Sequence, residues 1–492
     1  MSKQIQSITG DSELGSRNSQ PELSRRDLLR CCSSGFGMLA FSALASFASQ
    51  AEAGETAAKN PAGPLATKAP HFLPRAKRVI YLCMDGAPSH VDTFDYKPKL
   101  KALDGQSVSN RLRGGAATIL ASPWEFKQYG KSGLWISDLF PEVGRHADDL
   151  CLMRSMHTDL PAHPQAFLQM HTGSFQFARP SLGAWTLYGL GTENANLPGF
   201  ITLNPSSNNG GAQNYGSSFL PAVYQGTRIG AQLPPAAARV RLPVEARLPN
   251  IANSRLSGAG QRAQLDFIQA LNQERLQRDA VNPQVEGVIE SYELAFRMQN
   301  AVPEVMDLSE ETEETRELYG IGADGTDQAG RQCLLARRFA EAGVRFVEIS
   351  AGGWDQHRNL RADHERNARG VDKPIAALLT DLKRRGMLEE TLVIWGGEFG
   401  RTPYAQNGDG RDHNNKGFTL WMAGGGIKGG HSYGQTDELG AEAVENPVHI
   451  HDLHATILHL LGLDHEKLTY RYAGRDFRLT DVSGEIVKGI FA

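Results

Sequence analysis

Unbroken apolar runs of strand length, each bounded by polar or glycine-rich segments, constrain the fold of this chain more than any other feature. Continuous rather than alternating apolar strands are typical of a sheet that is buried on both faces. Helical patterns at 332–343 and 371–386 separate some of these runs, so strands and helices alternate. This order predicts an α/β fold: a doubly wound, mostly parallel sheet with helices on both faces. The runs lie at 78–84, 148–156, 197–204, 344–350, 391–395 and 417–424.

The middle of the chain has a different pattern. Residues 261–318 are polar, rich in Gln and Glu, and helical in periodicity. We interpret them as a helical insertion over the sheet, within a single α/β domain of residues 75–492. An independent domain is the alternative, but the apolar face of the segment is narrow for one. A long polar loop at 204–218 is of the kind that often borders a site.

The N-terminus has the pattern of an export signal. Arg25 and Arg26 precede an apolar, small-residue stretch at 35–48, and the sequence AEA at 51–53 offers a cleavage site. Residues 1–53 therefore predict a Tat-type (twin-arginine) signal peptide, and with it a periplasmic or extracellular protein. An uncleaved N-terminal anchor is the alternative, although the apolar run is short for a membrane span.

The rest of the composition excludes several kinds of partner. Residues 54–74 predict an extended leader, and no later apolar run is long enough for a membrane span, so we expect none after signal cleavage. The formal net charge of −4 gives no broad attraction to nucleic acid. Cys83, Cys151 and Cys333, which remain after cleavage, are scattered without a C-x-x-C pair. Neither a disulfide framework nor a thiolate zinc site is therefore indicated.

Acidic residues and histidines follow the ends of the predicted strands. In a doubly wound sheet, ligands bind outside the carboxyl ends of the strands, so loops that are far apart in the chain meet there. The glycines of the GGEFGR stretch allow the backbone to turn sharply at this edge. The residues concerned are Asp85 and Asp92 after the first strand, Asp355 and His357 in GGWDQH, Glu398 and Arg401 in GGEFGR, and Arg411, Asp412 and His413 in GRDHNNK.

Carboxylates gathered in one crevice repel one another, and a divalent cation relieves that repulsion. Mixed Asp, Glu and His ligands suit zinc, manganese or calcium rather than a thiolate-bound metal. The arginines would donate to a tetrahedral oxyanion such as phosphate or sulfate. Each residue has a simpler alternative: Asp92 as a helix cap, Asp85 as an acceptor of turn amides, and Glu398 as an ion-pair partner of Arg401. We therefore predict a metal site with candidate ligands Asp85, Asp92, Asp355, His357, Glu398 and His413.

These motifs carry a family resemblance. GAPSHVDTFDYKP, GGWDQH, GGEFGRTP, GRDHN and the C-terminal stretch from 451 resemble the exported bacterial family catalogued as domain of unknown function 1501. That family is grouped with the alkaline phosphatase and sulfatase superfamily, and the resemblance covers essentially the whole mature chain. It implies an alkaline phosphatase-like fold in which Asp355, His357 and His413 hold one metal. Glu398 would hold a second metal together with the loop after the first strand.

The chain departs from the superfamily pattern in two places. Phe399 stands where phosphatases have a histidine of the second metal site, which implies a weakened or mononuclear site. Ala162 or His163 stands where sulfatases have the residue that is converted to formylglycine, which excludes that mechanism. The remaining possibilities are metal-activated water, His163 as nucleophile, or a hydroxyl of Thr158 or Ser155. His163 could also be a metal ligand, and we rank that role first.

The sequence thus predicts an exported, metal-dependent hydrolase that acts on a phosphate or sulfate ester of a small molecule or a glycan. Arg401 would orient the oxyanion, and His163 would lie at the reacting centre. The alternative is a metal-stabilised binding protein that kept the fold and lost turnover. The missing nucleophile and Phe399 favour this alternative, whereas the retained Asp and His residues and the Tat signal favour the enzyme.

Overall fold

The computed structural model describes residues 63–230, 251, 255–278 and 282–492. The predicted signal peptide and residues 54–62 of the predicted leader lie outside the described residues.

A central sheet organises the described part of the chain. Its strands are β1 Arg78–Met84, β2 Leu150–His157, β3 Phe200–Leu203, β4 Thr227–Ile229, β5 Phe346–Ala351, β6 Thr391–Gly396, β7 Phe418–Ala423, β8 His431–Tyr433 and β9 Val448–His449. Their order in the sheet is β8-β2-β7-β6-β1-β5-β3-β4, and β9 pairs with the carboxyl-terminal end of β2. Neighbouring strands are parallel except at β7, which runs antiparallel to both β6 and β2.

Helices cover both faces of this sheet, as predicted. On β1, Tyr81 and Cys83 pack into one apolar core, and Ile80 and Leu82 pack into the other. In the part of the chain that the structure describes, the helices of eight residues or more are α1 His163–Thr172, α2 Leu182–Leu190, α3 Gly258–Arg278, α4 Pro283–Met306, α5 Asp327–Glu341, α6 Leu360–Arg384 and α7 Ile450–Leu460. The first core is closed by α1, α2 and α7, and the second by α5 and α6.

The segment at 261–318 is helical, and α3, α4 and the short helix Glu313–Tyr319 occupy it. Leu294 and Val302, both on α4, reach the two different cores. This segment therefore packs over the sheet rather than forming a core of its own.

Short hairpins surround the sheet. One of them, the site hairpin, pairs Gly400–Gln406 with Gly410–Asn414 and lies between β6 and β7 in the chain. A second, the outer hairpin, pairs Ser107–Ser109 with Ala116–Thr118 and contacts the first. The remaining hairpins are Phe126–Tyr129 with Leu134–Ser137, Gln435–Thr436 with Ala443–Glu445, and Tyr470–Tyr472 with Arg475–Phe477.

Two further observations concern the cysteines and the helices. Cys83, Cys151 and Cys333 are buried and free, in agreement with the sequence. None of the helices in the described ranges combines the length and the apolar character that a membrane span requires.

Candidate metal centre

Four side chains converge at the carboxyl edge of the sheet. His163, Asp355, His357 and His413 each offer one ligand atom, and these atoms lie within 4.8 Å of one another. His163 is the first residue of α1, and Asp355 and His357 follow β5. His413 lies on the second strand of the site hairpin. Because β7 runs antiparallel, the residues that precede it lie at the same edge as the residues that follow β5 and β6.

The Asp355 carboxylate is the centre of this cluster. Its Oδ1 lies 3.1 Å from His163 Nε2, 2.9 Å from His357 Nε2 and 3.4 Å from His413 Nε2. The Asp355 side chain is 45% exposed, so the cluster is accessible from solvent on this side.

The other ring nitrogen of each histidine is held by an acceptor. His163 Nδ1 lies 2.5 Å from Glu398 Oε1, His357 Nδ1 lies 2.6 Å from Gln406 Oε1, and His413 Nδ1 lies 2.7 Å from the Pro161 carbonyl oxygen. A carboxylate, an amide oxygen and a carbonyl can only accept, so each Nδ1 carries the proton. In the neutral ring the Nε2 lone pair then faces the cluster, which is how metal-binding histidines are commonly oriented.

The residues present fit a divalent cation. When the three rings are neutral and protonated at Nδ1, three Nε2 lone pairs and a carboxylate oxygen face one another, and a cation or a proton must lie between them. His163 Nε2 is buried and makes no hydrogen bond, although Asp355 lies beside it. Imidazole with carboxylate is a ligand set that suits zinc and similar first-row metals.

Electrostatics also favours positive charge at this point. Burial alone would raise the pKa of Asp355, but contacts with His163, His413 and Arg401 hold that pKa well below its usual range. Burial would likewise lower the pKa of His163, yet its contacts with Asp355 and Glu398 raise it to about 9. The carboxylates of Asp355 and Glu398 thus flank the His163 ring. Their charges repel each other unless a cation or a proton lies between them.

Arg401 holds the loops around the cluster together. Its guanidinium is 1% exposed and donates to Asp355 Oδ1 at 2.7 Å. It also donates to the carbonyls of Gly86 and Ala87 in the loop after β1, of Trp354 in the loop after β5, and of Arg411 in the site hairpin. In this structure Arg401 donates to the protein's own groups, and its role toward a substrate oxyanion stays a prediction.

Asp92 and Arg411 form a separate buried ion pair. Arg411 Nε and one terminal nitrogen donate to the two Asp92 oxygens at 2.6 and 3.0 Å, and both side chains are fully buried. Burial would raise the pKa of Asp92, but Arg411 lowers it. Each side chain satisfies the other, and neither belongs to the cluster. The roles of Asp92 as a metal ligand and of Arg411 as an oxyanion donor stay predictions.

Glu398 and Asp85 lie behind the cluster. Glu398 is fully buried, accepts from the Gly86 amide at 3.2 Å, and leaves Oε2 without a hydrogen-bond partner. Burial, followed by the charge of Glu398, raises the pKa of Asp85, while Asn209 in the polar loop donates to it at 2.7 Å. Their participation in a second metal site stays a prediction.

Gly86 lies where the loop after β1 comes into contact with the loop after β5. Gly86 has φ +109°, and a Cβ there would lie 2.7 Å from the Asp355 amide nitrogen. The loop after β1 can therefore touch the loop after β5 only with glycine at this position.

Phe399 packs against the ligand rings. Its ring centroid lies 4.8 Å from that of His163 and 4.7 Å from that of His413, and the side chain is buried. Phe399 thus covers one side of the cluster.

The hydroxyls that the sequence offered as nucleophiles point elsewhere. Ser155 donates to the Asn446 carbonyl at 2.6 Å, and Thr158 donates to Gln169 at 2.8 Å. Ala162, which precedes His163 as the N-cap of α1, carries no nucleophile. Both nitrogens of His163 face carboxylates, which supports the ligand role that we ranked first.

Sequence reasoning missed two groups that orient the ligand rings. Gln406 and the carbonyl of Pro161 each hold one histidine. Gln406 faces Gly410 in the site hairpin, and only the register of that hairpin brings it to His357. The sequence carries no signal for that register.

Comparison with known proteins assigns the family. The chain belongs to the family described as "Protein of unknown function (DUF1501)", whose model matches residues 76–491. No curated protein matches the chain.

Three solved structures illustrate what the chain is similar to. A sulfatase from a Pseudoalteromonas species is 12% identical with a TM-score of 0.35, over 80% of this chain and 69% of that chain. The alkaline phosphatase from the Antarctic bacterium TAB5 is 11% identical with a TM-score of 0.30, over 72% and 92%. A phosphonate monoester hydrolase from Silicibacter pomeroyi is 12% identical with a TM-score of 0.33, over 78% and 73%.

Proposed function

We propose that this protein is an exported, metal-dependent hydrolase that acts on a phosphate or sulfate ester. The observation that carries the proposal is the cluster of His163, Asp355, His357 and His413, in which each histidine is oriented by a second acceptor. The ester class comes from the resemblance of the sequence motifs to the alkaline phosphatase and sulfatase superfamily. Export rests on the twin-arginine pattern of residues 1–53.

In this proposal, a water molecule activated at the cluster attacks the ester. When bound, a divalent cation supplies Lewis acidity to an ester oxygen and makes water acidic enough to attack at neutral pH. His163, His357 and His413 would hold the cation together with Asp355. Arg401 keeps the Asp355 carboxylate in place, and Phe399 excludes water from the buried side of the rings. The exposed side of Asp355 leaves room for an ester to approach.

Metal content and turnover test the proposal together. The mature chain should carry stoichiometric zinc or manganese, lose turnover of 4-nitrophenyl phosphate or 4-nitrophenyl sulfate on chelation, and regain it on reloading. Asp355→Asn and His413→Ala should lose both the metal and the rise in melting temperature that the metal gives. The matched control is Asp159→Asn, because Asp159 also contacts a histidine, His449, at 3.3 Å, but outside the cluster.

Two results would contradict the assignment. If Asp355→Asn or His413→Ala retains full metal content, these residues are not the ligands. If Asp159→Asn loses the metal as well, loss of metal reports general damage to the fold rather than loss of a ligand.

A metal-stabilised binding protein is the second candidate, and one observation favours it. Four protein ligands are the usual complement of a structural zinc site, whereas catalytic sites keep a position open. Stoichiometric metal without turnover of either ester would support this second candidate. A five-coordinate site with room for water would be consistent with the hydrolase.

A further inference from the structure

A pocket of about 250 Å³ lies at the end of α1 that is remote from the metal cluster. Thr172 and Gly173 line it at the C-terminal end of this helix, whereas His163 is the first residue of the helix. An α-helix rises about 1.5 Å per residue, so Thr172 and His163 are roughly 14 Å apart along α1. The exposed residues Gln176 and Phe177 also line the pocket, which is therefore open to solvent.

The pocket wall combines aromatic rings with arginines. The loop after α1 contributes Phe177 and Arg179, and the C-terminal hairpin, Tyr470–Tyr472 with Arg475–Phe477, contributes Arg475 and Phe477. The guanidinium carbon of Arg179 lies 4.2 Å from the centroid of the Phe477 ring and 5.5 Å from that of the Phe177 ring. A guanidinium that lies over a ring keeps the N–H donors at its edge available to a ligand.

Arg179 carries a charge that has no partner in the wall. Its guanidinium makes no hydrogen bond or ion pair with any residue that the structure describes. The other arginine and aspartate side chains of the wall are paired: Arg475 with Asp481, Arg478 with Glu466 at 3.2 Å, and Asp159 with Gln169 and, at 3.3 Å, with His449. The wall therefore offers one unpaired positive charge.

The surroundings of Arg179 make this charge unfavourable without a counter-ion. Burial lowers the pKa of Arg179, the charge of Asp481 raises it, and the charge of Arg475 lowers it again, so that the pKa lies below its usual value. An anion that reaches the guanidinium from the pocket would stabilise the charged form.

We infer that this pocket binds a small carboxylic acid that carries one ring. A carboxylate accepts two parallel hydrogen bonds from a guanidinium, and its single negative charge matches the one unpaired positive charge. The ring would lie against the apolar part of the wall, which Phe175, Pro180, Phe219 and Leu479 form. Small-molecule sites commonly have volumes of about 300–1,000 Å³, so this smaller pocket limits the ligand to one ring.

An aromatic acid and an acidic sugar share this chemistry, and calorimetric titration of the mature chain distinguishes them. The probes are benzoate, glucuronate, acetate and benzyl alcohol, each titrated with and without a chelator. Benzoate or glucuronate should bind at least tenfold more tightly than acetate, which lacks the ring, and than benzyl alcohol, which lacks the charge. The chelator should leave this affinity unchanged, because the pocket is remote from the metal cluster.

Two substitutions of Arg179 test its role. Arg179→Gln should weaken binding of the preferred acid at least tenfold. Arg179→Lys should weaken it less, since lysine keeps the charge but loses the planar pair of donors. The matched control is Arg471→Gln, because Arg471 lies on the same hairpin as Arg475, pairs with Asp476 at 3.1 Å and does not line the pocket. This control should bind every probe like the wild type.

The outcomes are independent of the proposed hydrolase function. If neither acid binds more tightly than acetate and benzyl alcohol, or if Arg179→Gln binds the preferred acid like the wild type, the inference is overturned and the hydrolase proposal stands. If the chelator abolishes binding, the acid binds at the metal cluster and the assignment to this pocket is wrong. If the acid binds through Arg179 to a protein that holds no metal and hydrolyses no ester, the inference holds and the proposed function fails.

Discussion

At the scale of single residues, the orientation of the His163 ring depends on a carboxylate that does not belong to the cluster. Glu398 holds Nδ1 at 2.5 Å and is itself fixed by the Gly86 amide. Such an outer partner sets the tautomer of the ring and increases its basicity as a ligand. Glu398 is buried, so no water can replace it.

We therefore predict that Glu398→Gln lowers zinc affinity by about 10–100-fold, the usual effect of losing an outer partner. Competition with a chelating dye would measure this change.

Glu348→Gln is the matched control for that prediction. Glu348 lies 3.3 Å from His171 in another buried pair, at the opposite end of α1. This variant should be less stable but should bind zinc like the wild type once folded. Equal zinc affinity of Glu398→Gln and the wild type would contradict the role of Glu398.

The sequence indicates ligands better than it indicates their neighbours. Asp355, His357 and His413 could be selected because each lies beside a predicted strand end, where a doubly wound sheet gathers its loops. Asp92 satisfied the same criterion but lies outside the cluster, because position in a loop does not reveal that a buried arginine donates to both carboxylate oxygens. The surroundings of Arg401 are hidden in the sequence for a similar reason. An arginine that donates to four backbone carbonyls has the same sequence context as an arginine whose donors are free to bind an oxyanion.

At the scale of elements, the site hairpin brings His413 to the cluster. Its register places His413 opposite Arg401, and Gly410 rests against the backbone of His357. A Cβ at Gly410 would overlap the carbonyl group of His357. Because that group belongs to the backbone, it cannot move aside as the end of a flexible side chain could.

We expect Gly410→Ala to push the hairpin away from the loop after β5 and to reduce zinc affinity at least tenfold. Gly408→Asn in the turn of the same hairpin should bind zinc normally, since a Cβ there meets nothing within 4 Å and asparagine tolerates positive φ. Circular dichroism would show whether both variants fold. A Gly410→Ala protein with wild-type zinc affinity would show that the contact does not position His413.

The sequence predicted the positions of the strands better than their directions. The apolar runs located β1 and β6 to within one residue. The reversal of β7 was not predicted, because an antiparallel strand buried on both faces has the same unbroken apolar run as its parallel neighbours. That reversal is the reason why residues before β7, rather than after it, reach the site.

At the scale of the whole molecule, the stability of the fold should depend on pH through a histidine remote from the cluster. His454 on α7 is fully buried, and its Nε2 contacts the Met170 carbonyl at 2.7 Å. Burial lowers the pKa of His454 to about 3. In the unfolded chain the same ring has a pKa of about 6.5. The unfolded state therefore binds an extra proton below pH 6.5, and the folded state does not.

It follows that the contribution of His454 is complete above pH 6.5 and is lost as the pH falls toward 3. The slope is about 1.4 kcal/mol of unfolding free energy per pH unit, or roughly 2–3 kcal/mol between pH 6.5 and 4.5. In His454→Gln, which can still donate to Met170, we expect this part of the slope to disappear. Urea unfolding with a chelator present removes the contribution of the metal.

The exposed His71 provides the control, because His71→Gln should retain the pH slope of the wild type. If His454→Gln loses stability with falling pH as steeply as the wild type, the buried ring is not the source of the effect.

The spacing of the ligands along the polypeptide also sets an order of events during synthesis. The four candidate ligands lie at positions 163, 355, 357 and 413, so a nascent chain has no complete set of them until residue 413 has been translated. An ion captured earlier would be held by fewer side chains and would exchange freely with the surrounding solution. In the proposed metalloprotein, stable loading is therefore a late step, which follows the synthesis of β5, β6 and the site hairpin.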